Sequence, residues 1–252
     1  MRIALVGFGK MGHVVYTLAT QLGHTVVSII DPHSHDSLVT DKTLTVESLG
    51  NAEIVIEFSH HEGIKERLHT YQEGHIPCVI ATTGWYDLLP EITDTYKESS
   101  TAILWSGNFA LGVHLFFSIV RSASRIMNSF SDYDVVVQEL FHAKKGDSPS
   151  GTSHMIGSIL TEELSHKESV VTSRLDRKRE ESEIHIASAR GGSNPGVHSV
   201  IFDSNEDSIE ITHRARSREG FAKGALQAGS WLLTQQGGFY TLNDMMKELI
   251  EI

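Results

Sequence analysis

Hydrophobic and polar positions follow two different rhythms along this chain. Residues 2–8 form an almost unbroken apolar run that ends in Gly7-Phe8-Gly9-Lys10-Met11-Gly12. Beyond it Met11, Val14, Val15, Leu18 and Leu22 return at the spacing of one helix face. That order predicts strand, glycine turn, helix. Gly23 ends the helix, the β-branched run 25–30 predicts a second strand, and Asp31-Pro32 closes it. Further strands are predicted at 53–58, 77–82 and 102–105, with helices at 62–73 and 88–98 between them. Strands alternating with helices imply an α/β fold with a doubly wound parallel sheet.

After Asn108 the rhythm changes. A long helix is predicted over 111–130, a strand over 134–140 and a helix over 152–164, with Met155, Ile156, Ile159, Leu160 and Leu164 on one side. Strand-like stretches 183–189, 197–202 and 208–213 then follow without intervening helices. Such segregation predicts an α+β domain with an open mixed sheet, one face of which needs a cover. Helices over 221–233 and 243–250 finish the chain and are expected back against the first domain. The domains are therefore expected at 1–110 with 219–252, and at 111–218. The charged piece 174–183 reads as a solvated loop.

Composition narrows the class. The chain has 252 residues, enough for two modest domains, with 40% hydrophobic and 21% charged residues. No apolar run approaches the ~18 residues of a membrane span. The N-terminal run is too short and glycine-interrupted for a signal peptide, so a cytoplasmic protein without membrane partners is expected. Cys78 is the only cysteine, which excludes an intrachain disulfide and a Cys-based zinc site. A formal net charge of -11 argues against a nucleic-acid partner and requires that basic groups be concentrated locally if the ligand is an anion. Fifteen histidines raise the question of a metal. There is no HExxH, and the pairs His33/His35 and His60/His61 lack the spacing and carboxylates of a recognisable site, so none is expected.

The glycine turn is informative because of its setting. It follows a strand, opens a helix and is answered by Asp31 at the end of the next strand. Glycines admit a pyrophosphate to the backbone, the helix start supplies N–H donors, and Asp31 can accept from the adenine ribose hydroxyls. A carboxylate there repels a 2′-phosphate unless Arg or Lys sits beside it, and the next residues are Pro32, His33 and Ser34. NADH is therefore the expected cofactor in preference to NADPH, with His33 or His35 able to soften the discrimination.

A second cluster lies in QELFHAKKGDSPSGTSHMIGS, 138–158. Pro149 forbids helix before it, which places Ser150, Gly151 and Thr152 at an N-cap and first turn, where N–H groups and hydroxyls can receive an anion such as a carboxylate. His142 and Lys145 on the preceding loop add a titratable donor and a cation. Asp147 is better placed to orient the loop or Lys145 than to react.

These residues carry a resemblance. Glu139, His142, Lys145 and Asp147-Ser148-Pro149-Ser150-Gly151-Thr152 resemble the E-x-H-H-x-x-K-x-D-A-P-S-G-T signature of the 4-hydroxy-tetrahydrodipicolinate (dihydrodipicolinate) reductase family. Phe58-Ser59, 81–84, 106–109 with Gly112-Val113, Arg190-Gly191, Gly196, His198, and 213–225 fall in family order. The resemblance implies NAD(P)H-dependent reduction of a cyclic imine-type dicarboxylate in the diaminopimelate route to lysine, with hydride delivered to the ring as water is lost. It implies Lys145 and His142 as catalytic residues, with Lys145 the proton donor, and His142, Ser150, Gly151 and Thr152 as substrate-binding residues. For the cofactor it implies Gly7, Phe8, Gly9, Lys10, Met11 and Gly12 with Asp31, and Ala81, Thr82, Thr83, Ser106, Gly107, Asn108 and Phe109. It further implies a homotetramer assembled through the second domain's sheet.

Phe141 departs from the family, which has histidine there, commonly assigned as an acid or base. Three readings follow: Lys145 carries protonation alone or with His142 or water, the substrate is a relative of the usual one, or the protein binds without fast turnover. Ser148 replaces an alanine, and the glycine turn is a residue shorter than the common form, which changes the reach of Lys10. Two rivals are kept: an amino-acid dehydrogenase of the same fold, and a nucleotide-sensing protein whose catalysis is impaired at Phe141.

Overall fold

The computed structural model describes residues 1–250. Over the first 110 residues the chain runs β1 (Arg2–Val6), α1 (Lys10–Gln21), β2 (Thr25–Ile30), β3 (Ile54–Glu57), α2 (Ile64–Glu73), β4 (Cys78–Ile80), α3 (Leu89–Tyr96) and β5 (Ala102–Trp105). It continues through α4 (Leu111–Met127), β6 (Asp134–Phe141), α5 (Gly151–Glu163), β7 (Ser169–Val171), β8 (Glu183–Arg190), β9 (Val197–Asp203) and β10 (Ser208–Arg214). α6 (Glu219–Leu232), β11 (Gly238–Thr241) and α7 (Leu242–Leu249) complete it. Two compact units result, one from 1–110 with the segment from 218 onward, the other from 111–217. No helix among the described residues is long and apolar enough to cross a membrane.

In the first unit every strand pairing is parallel, in the order β11-β5-β4-β3-β1-β2. Parallel strands covered on both faces need apolar side chains on both, which is why Ile3 to Val6, Ile54 to Ile56 and Ala102 to Leu104 are buried without alternation. One face packs Ala4, Val6, Val55 and Ile80 with Ile64, Leu68 and Tyr71 of α2 and Ile92 and Tyr96 of α3. α1 and α6 pack together, and α6 lies on β3, β4 and β5, so the C-terminal helices belong to this unit. α6 approaches closely because it is small-sided there: a Cβ on Gly229 would stand 3.2 Å from the Cδ1 atoms of Ile54 and Ile56. The strand order reverses at β1, whose neighbours are β2 and β3, and crevices at such reversals are where α/β sheets bind ligands.

The second unit has a mixed sheet, β10-β9-β6-β8-β7, with β6 parallel to β8 and antiparallel to β9. Side chains alternate strictly along β6. Val135 and Val137 join Ile184, Ile186, Val200 and Phe202 against Phe116 and Val120 of α4 and Ile156 and Leu160 of α5. The opposite positions Val136, Gln138 and Leu140, beside Ala187 and Ala189 of β8, lie on a face that stays partly or fully exposed.

Differences from the sequence expectations are local. The first strand stops at Val6 because Gly7 turns to φ +91°. β7 and β11 were not anticipated; at three and four residues they hold as strands only because β8 and β5 supply the ladder. The piece 174–183 is irregular but pinned rather than merely solvated. Arg177 binds Glu183 at 2.6 Å, Arg179 binds Asp134, and the buried Lys167 reaches Asp134 at 2.7 Å and the Glu181 carbonyl at 2.5 Å.

Candidate active site

Gly7 lets the chain leave β1 against β3: a Cβ there would fall 2.4 Å from the Phe58 carbonyl oxygen, and one on Gly12 would fall 2.4 Å from that of Gly7. Gly9, by contrast, faces open space and caps α1 with no side chain, leaving the first-turn N–H groups of Lys10, Met11 and Gly12 uncapped. That arrangement fits a pyrophosphate. Lys10 is exposed, whereas the Phe8 ring is buried and stacks on His13 at 4.1 Å.

Asp31 binds the turn itself. Its Oδ2 accepts from the Phe8 N–H at 2.6 Å and its Oδ1 from the N–H groups of His33 and Ser34, both at 2.8 Å. Burial pushes the carboxyl up, but the donors Phe8, Ser34 and His33 outweigh it and the pKa lies below the usual value. The expectation for Asp31 was ribose recognition; the structure adds a welding of β2 to the glycine turn. Two neighbours were missed in the sequence. His13 holds the Gly9 carbonyl through Nδ1 at 2.8 Å and Asp36 through Nε2 at 3.0 Å, and Lys42 reaches the Ser34 carbonyl. Neither lies within the glycine motif or beside Asp31, so only the fold brings them there.

At the end of β3 the structure holds a second unanticipated group, the fully buried carboxylate of Glu57. It accepts from Tyr71 Oη at 2.6 Å, Thr82 Oγ1 at 2.8 Å, Ser59 Oγ at 2.9 Å and Arg67 Nη2 at 3.0 Å. Thr82 thus spends its proton inside the protein, and its carbonyl accepts from the indoles of Trp85 at 2.8 Å and Trp105 at 3.3 Å. Ala81 continues the β3 ladder by donating to the Glu57 carbonyl at 2.9 Å, and Thr83 is exposed. Ser106 Oγ donates to the Asn108 carbonyl at 2.8 Å, Asn108 Oδ1 accepts from the Ala110 N–H at 2.8 Å, and Phe109 is buried. Gly107 lies by the Tyr86 hydroxyl, 3.4 Å from where its Cβ would be.

In the second unit, period-two alternation carries Glu139 onto the same face as Val135 and Val137, where the start of α5 meets the sheet. Its side chain is fully buried and its carboxylate fully engaged. Both oxygens accept from the Ser150 N–H at 3.1 Å, Oε2 accepts from Ser153 Oγ at 2.6 Å, and Oε1 accepts from Arg190 Nη2 at 2.6 Å, while His198 Nε2 stands 3.6 Å from Oε2. Burial pushes this carboxyl up, yet His198, Ser150, Ser153 and Arg190 together hold it well below the usual range. The same Arg190 Nη2 clamps the Asp147 carbonyl at 2.6 Å, so one carboxylate orders the whole 147–153 turn.

Ser150 is buried and acts as the N-cap, its Oγ accepting from the Ser153 N–H at 3.2 Å. Its own N–H is spent on Glu139, so the N–H groups left for an anion are those of Gly151 and Thr152, with the half-buried Thr152 hydroxyl. Lys145 pairs with Asp147 at 2.7 Å, as expected for an orienting partner, and its ammonium lies 4.7 Å from the Phe141 ring centre. Lys145 in turn holds the Asp147 carboxyl below its usual value. Arg190 lies 5.4 Å from the same ring, so Phe141 sits within reach of two cations. His142 is half-buried, its carbonyl accepting from the Lys145 N–H at 3.2 Å.

Across the sheet Ser188, Glu139, His198 and His213 stand in one row of paired positions. Of the seven buried side-chain polar atoms without a partner among the described residues, Ser188 Oγ, Arg190 Nε, His198 Nδ1 and His213 Nδ1 belong to this corner. Elsewhere, His60 and His61 are followed by a carboxylate after all, Glu62, with ligand atoms of the three within 4.8 Å of one another, but all three are exposed.

A parallel α/β sheet with an uncapped glycine-turn helix, carried in one chain with a second unit built on a mixed sheet, is the plan of a two-domain pyridine-nucleotide-dependent oxidoreductase. Residues 1–109 match the family model described as dihydrodipicolinate reductase, N-terminus, and 112–246 the one described as dihydrodipicolinate reductase, C-terminus. The chain belongs to the dihydrodipicolinate reductase family. It is 32% identical over 251 residues to the 4-hydroxy-tetrahydrodipicolinate reductase of Christiangramia forsetii, covering 100% of both chains. To the enzyme of that name from Staphylococcus aureus it is 33% identical, over 97% of this chain and 100% of the relative. A dipicolinate-bound dihydrodipicolinate reductase from Paenisporosarcina sp. TG-14 shares the fold, with a TM-score of 0.75 at 20% identity over 96% of this chain and 97% of that one.

The Glu139 network generates a prediction about acid stability. A carboxyl whose folded pKa is depressed contributes stability that is complete above its unfolded value, near 4.5, and is lost as pH falls below it. Glu139→Gln leaves the part-buried Arg190 without its counter-charge and is expected to cost about 3 kcal/mol at pH 7. Denaturant unfolding from pH 7 to pH 3 should show the gap between wild type and variant shrinking below pH 4.5; a gap that stays constant would contradict the assignment.

Proposed function

We propose that this chain reduces 4-hydroxy-tetrahydrodipicolinate to tetrahydrodipicolinate in lysine and diaminopimelate biosynthesis, with Lys145 as proton donor. The observation that carries the site reading is the turn ordered by Glu139. It leaves the Gly151 and Thr152 N–H groups free at a helix start, with Thr152, His142 and the Lys145 ammonium on the same short segment. A dicarboxylate ring is the kind of ligand such a set suits, since the dipole and N–H donors receive one carboxylate and the cation offsets the charge. The bound nucleotide supplies the hydride. Gly7, Phe8, Gly9, Lys10, Met11, Gly12 and Asp31 would hold it, and Ala81, Thr82, Thr83, Ser106, Gly107, Asn108 and Phe109 would serve its nicotinamide end.

Lys145 donates the proton that the reduced ring requires, and Asp147 keeps its ammonium oriented until the substrate arrives. Of the three readings of Phe141, protonation by Lys145 without a histidine at 141 is favoured. The Phe141 ring faces two cations, and an imidazole in its place would be held neutral by both. A nucleotide sensor would have no use for the anion-binding turn.

In a coupled assay, pyruvate and aspartate semialdehyde are condensed by the preceding enzyme and NADH absorbance is followed; addition of this protein is expected to consume NADH. Lys145→Ala should lower kcat by ~10² to 10⁴ with the NADH Kd unchanged, whereas Phe141→His should shift kcat by less than about tenfold. No NADH consumption by the wild type would refute the activity, and near-normal turnover of Lys145→Ala would refute the role.

The cofactor preference follows from charge. The ionised Asp31 favours the free ribose hydroxyls of NADH, and Lys42, on the Ser34 carbonyl, narrows the margin against the 2′-phosphate of NADPH. Fluorescence titration should give the lower Kd for NADH, and Lys42→Ala should weaken NADPH alone; tighter NADPH binding by the wild type would reverse the assignment.

The exposed face around Leu140, Ala187 and Ala189 supports assembly as a homotetramer through this sheet. Light scattering on the eluting protein should give four chains, and Leu140→Glu should yield smaller species; a monomeric wild type would end this reading.

A further inference from the structure

The buried imidazole of His198 is a partner of Glu139, and its position also decides what the Ser150 hydroxyl can do. Nε2 of His198 lies 3.2 Å from Ser150 Oγ and 3.6 Å from Glu139 Oε2, the ring is 3% exposed, and Nδ1 has no partner. The Phe141 ring meets it edge-on at 5.3 Å, which fixes its plane. Two neutral tautomers exist. With the proton on Nδ1, a buried donor would be unsatisfied and the Nε2 lone pair would face a carboxylate held ionised by its other partners. With the proton on Nε2, the ring points an N–H at Ser150 Oγ and at Glu139. The second form is the one this corner stabilises.

Ser150 Oγ then accepts twice, from the Nε2–H of His198 and from the N–H of Ser153 at 3.2 Å, which fills its two lone pairs. Its proton is left over. Among the described residues the acceptor within hydrogen-bond distance is Ser153 Oγ at 3.5 Å, long for an O–H···O bond, and the Glu139 carboxylate, which Ser150 helps to hold below its usual pKa, is the rival for that proton. From this geometry we propose that His198 is a positioning residue that keeps Ser150 an obligate hydrogen-bond donor to the substrate carboxylate, with Glu139 fixing the tautomer. The proposal rests on the reading of the 150–152 turn as the anion site.

The test is a double-mutant cycle on the full chain, with pyridine-2,6-dicarboxylate as probe, measured by calorimetry in the presence of saturating nucleotide. Ser150→Ala and His198→Leu should each weaken the probe by about tenfold to hundredfold, the worth of one hydrogen bond to a charge. The double variant should be no weaker than the poorer single one, because His198 acts through Ser150. His198→Gln, whose amide N–H can occupy the Nε2 position, should recover most of the affinity, which restored bulk alone would not do.

Additive losses would overturn the proposal while leaving the anion site standing. No loss in Ser150→Ala would overturn the proposal alone, since the hydroxyl would then not touch the ligand, whereas no binding of the probe by the wild type would overturn the anion site as well. Should His198→Leu fail to fold, the ¹⁵N shifts of the wild-type ring decide: a protonated Nε2 and bare Nδ1 are expected, and the reverse tautomer would sink the idea.

Discussion

A carboxylate out of water is tolerated only when its lone pairs meet donors, and the second unit is organised around meeting that condition at Glu139. The donors come from three places: the start of α5, the end of β8 and the start of β9. Each is fixed by the sheet register, since β6 pairs with β8 on one side and β9 on the other. The consequence is geometric. α5 can begin only where its cap N–H reaches Glu139, and the loop before it can run only where Arg190 holds the Asp147 carbonyl. The N–H groups that remain free at Gly151 and Thr152 therefore owe their position to a residue twelve positions or more upstream that need not touch a ligand.

The first unit solves the same problem in the same way. Glu57 ends its strand inside the protein and gathers Tyr71, Arg67, Ser59 and Thr82. Like Glu139 it stands at a strand's end, where side chains from following loops converge. Buried and satisfied, such a group exchanges desolvation cost for a single defined loop arrangement. Asp31 is a more exposed version of the device, holding the glycine turn by one N–H and its own loop by two.

Phe141 shows how a replaced residue can be accommodated electrostatically. Its ring receives the Lys145 ammonium at 4.7 Å and the Arg190 guanidinium at 5.4 Å, contacts worth roughly 0.5–2 kcal/mol each depending on solvent access. It also packs on Gly196, where a Cβ would come within 2.7 Å of the ring. A phenyl ring keeps both cations close without competing for a proton, and Lys145 keeps Asp147 as its ionic partner.

The sequence alone determined what short-range periodicity can encode. Short apolar runs alternating with helix-periodic segments specified five of the six parallel strands of the first unit. The Pro149-Ser150-Gly151-Thr152 order specified a capped helix start, and the spacing of His142, Lys145 and Asp147 put them on one loop. The family signature was legible for the same reason, being contiguous. Tertiary structure decided everything that depends on register between distant strands: the depth of Glu57 and Glu139, the approach of Lys42 to Ser34, the row joining Glu139 to His198 and His213, and the short strands β7 and β11. It also decided that Ser150, placed at the helix cap by the sequence, is buried there with its N–H spent on Glu139. A side chain's partners in a sheet are set by chains tens of residues away, and whether a polar group is spent or available is a property of those partners.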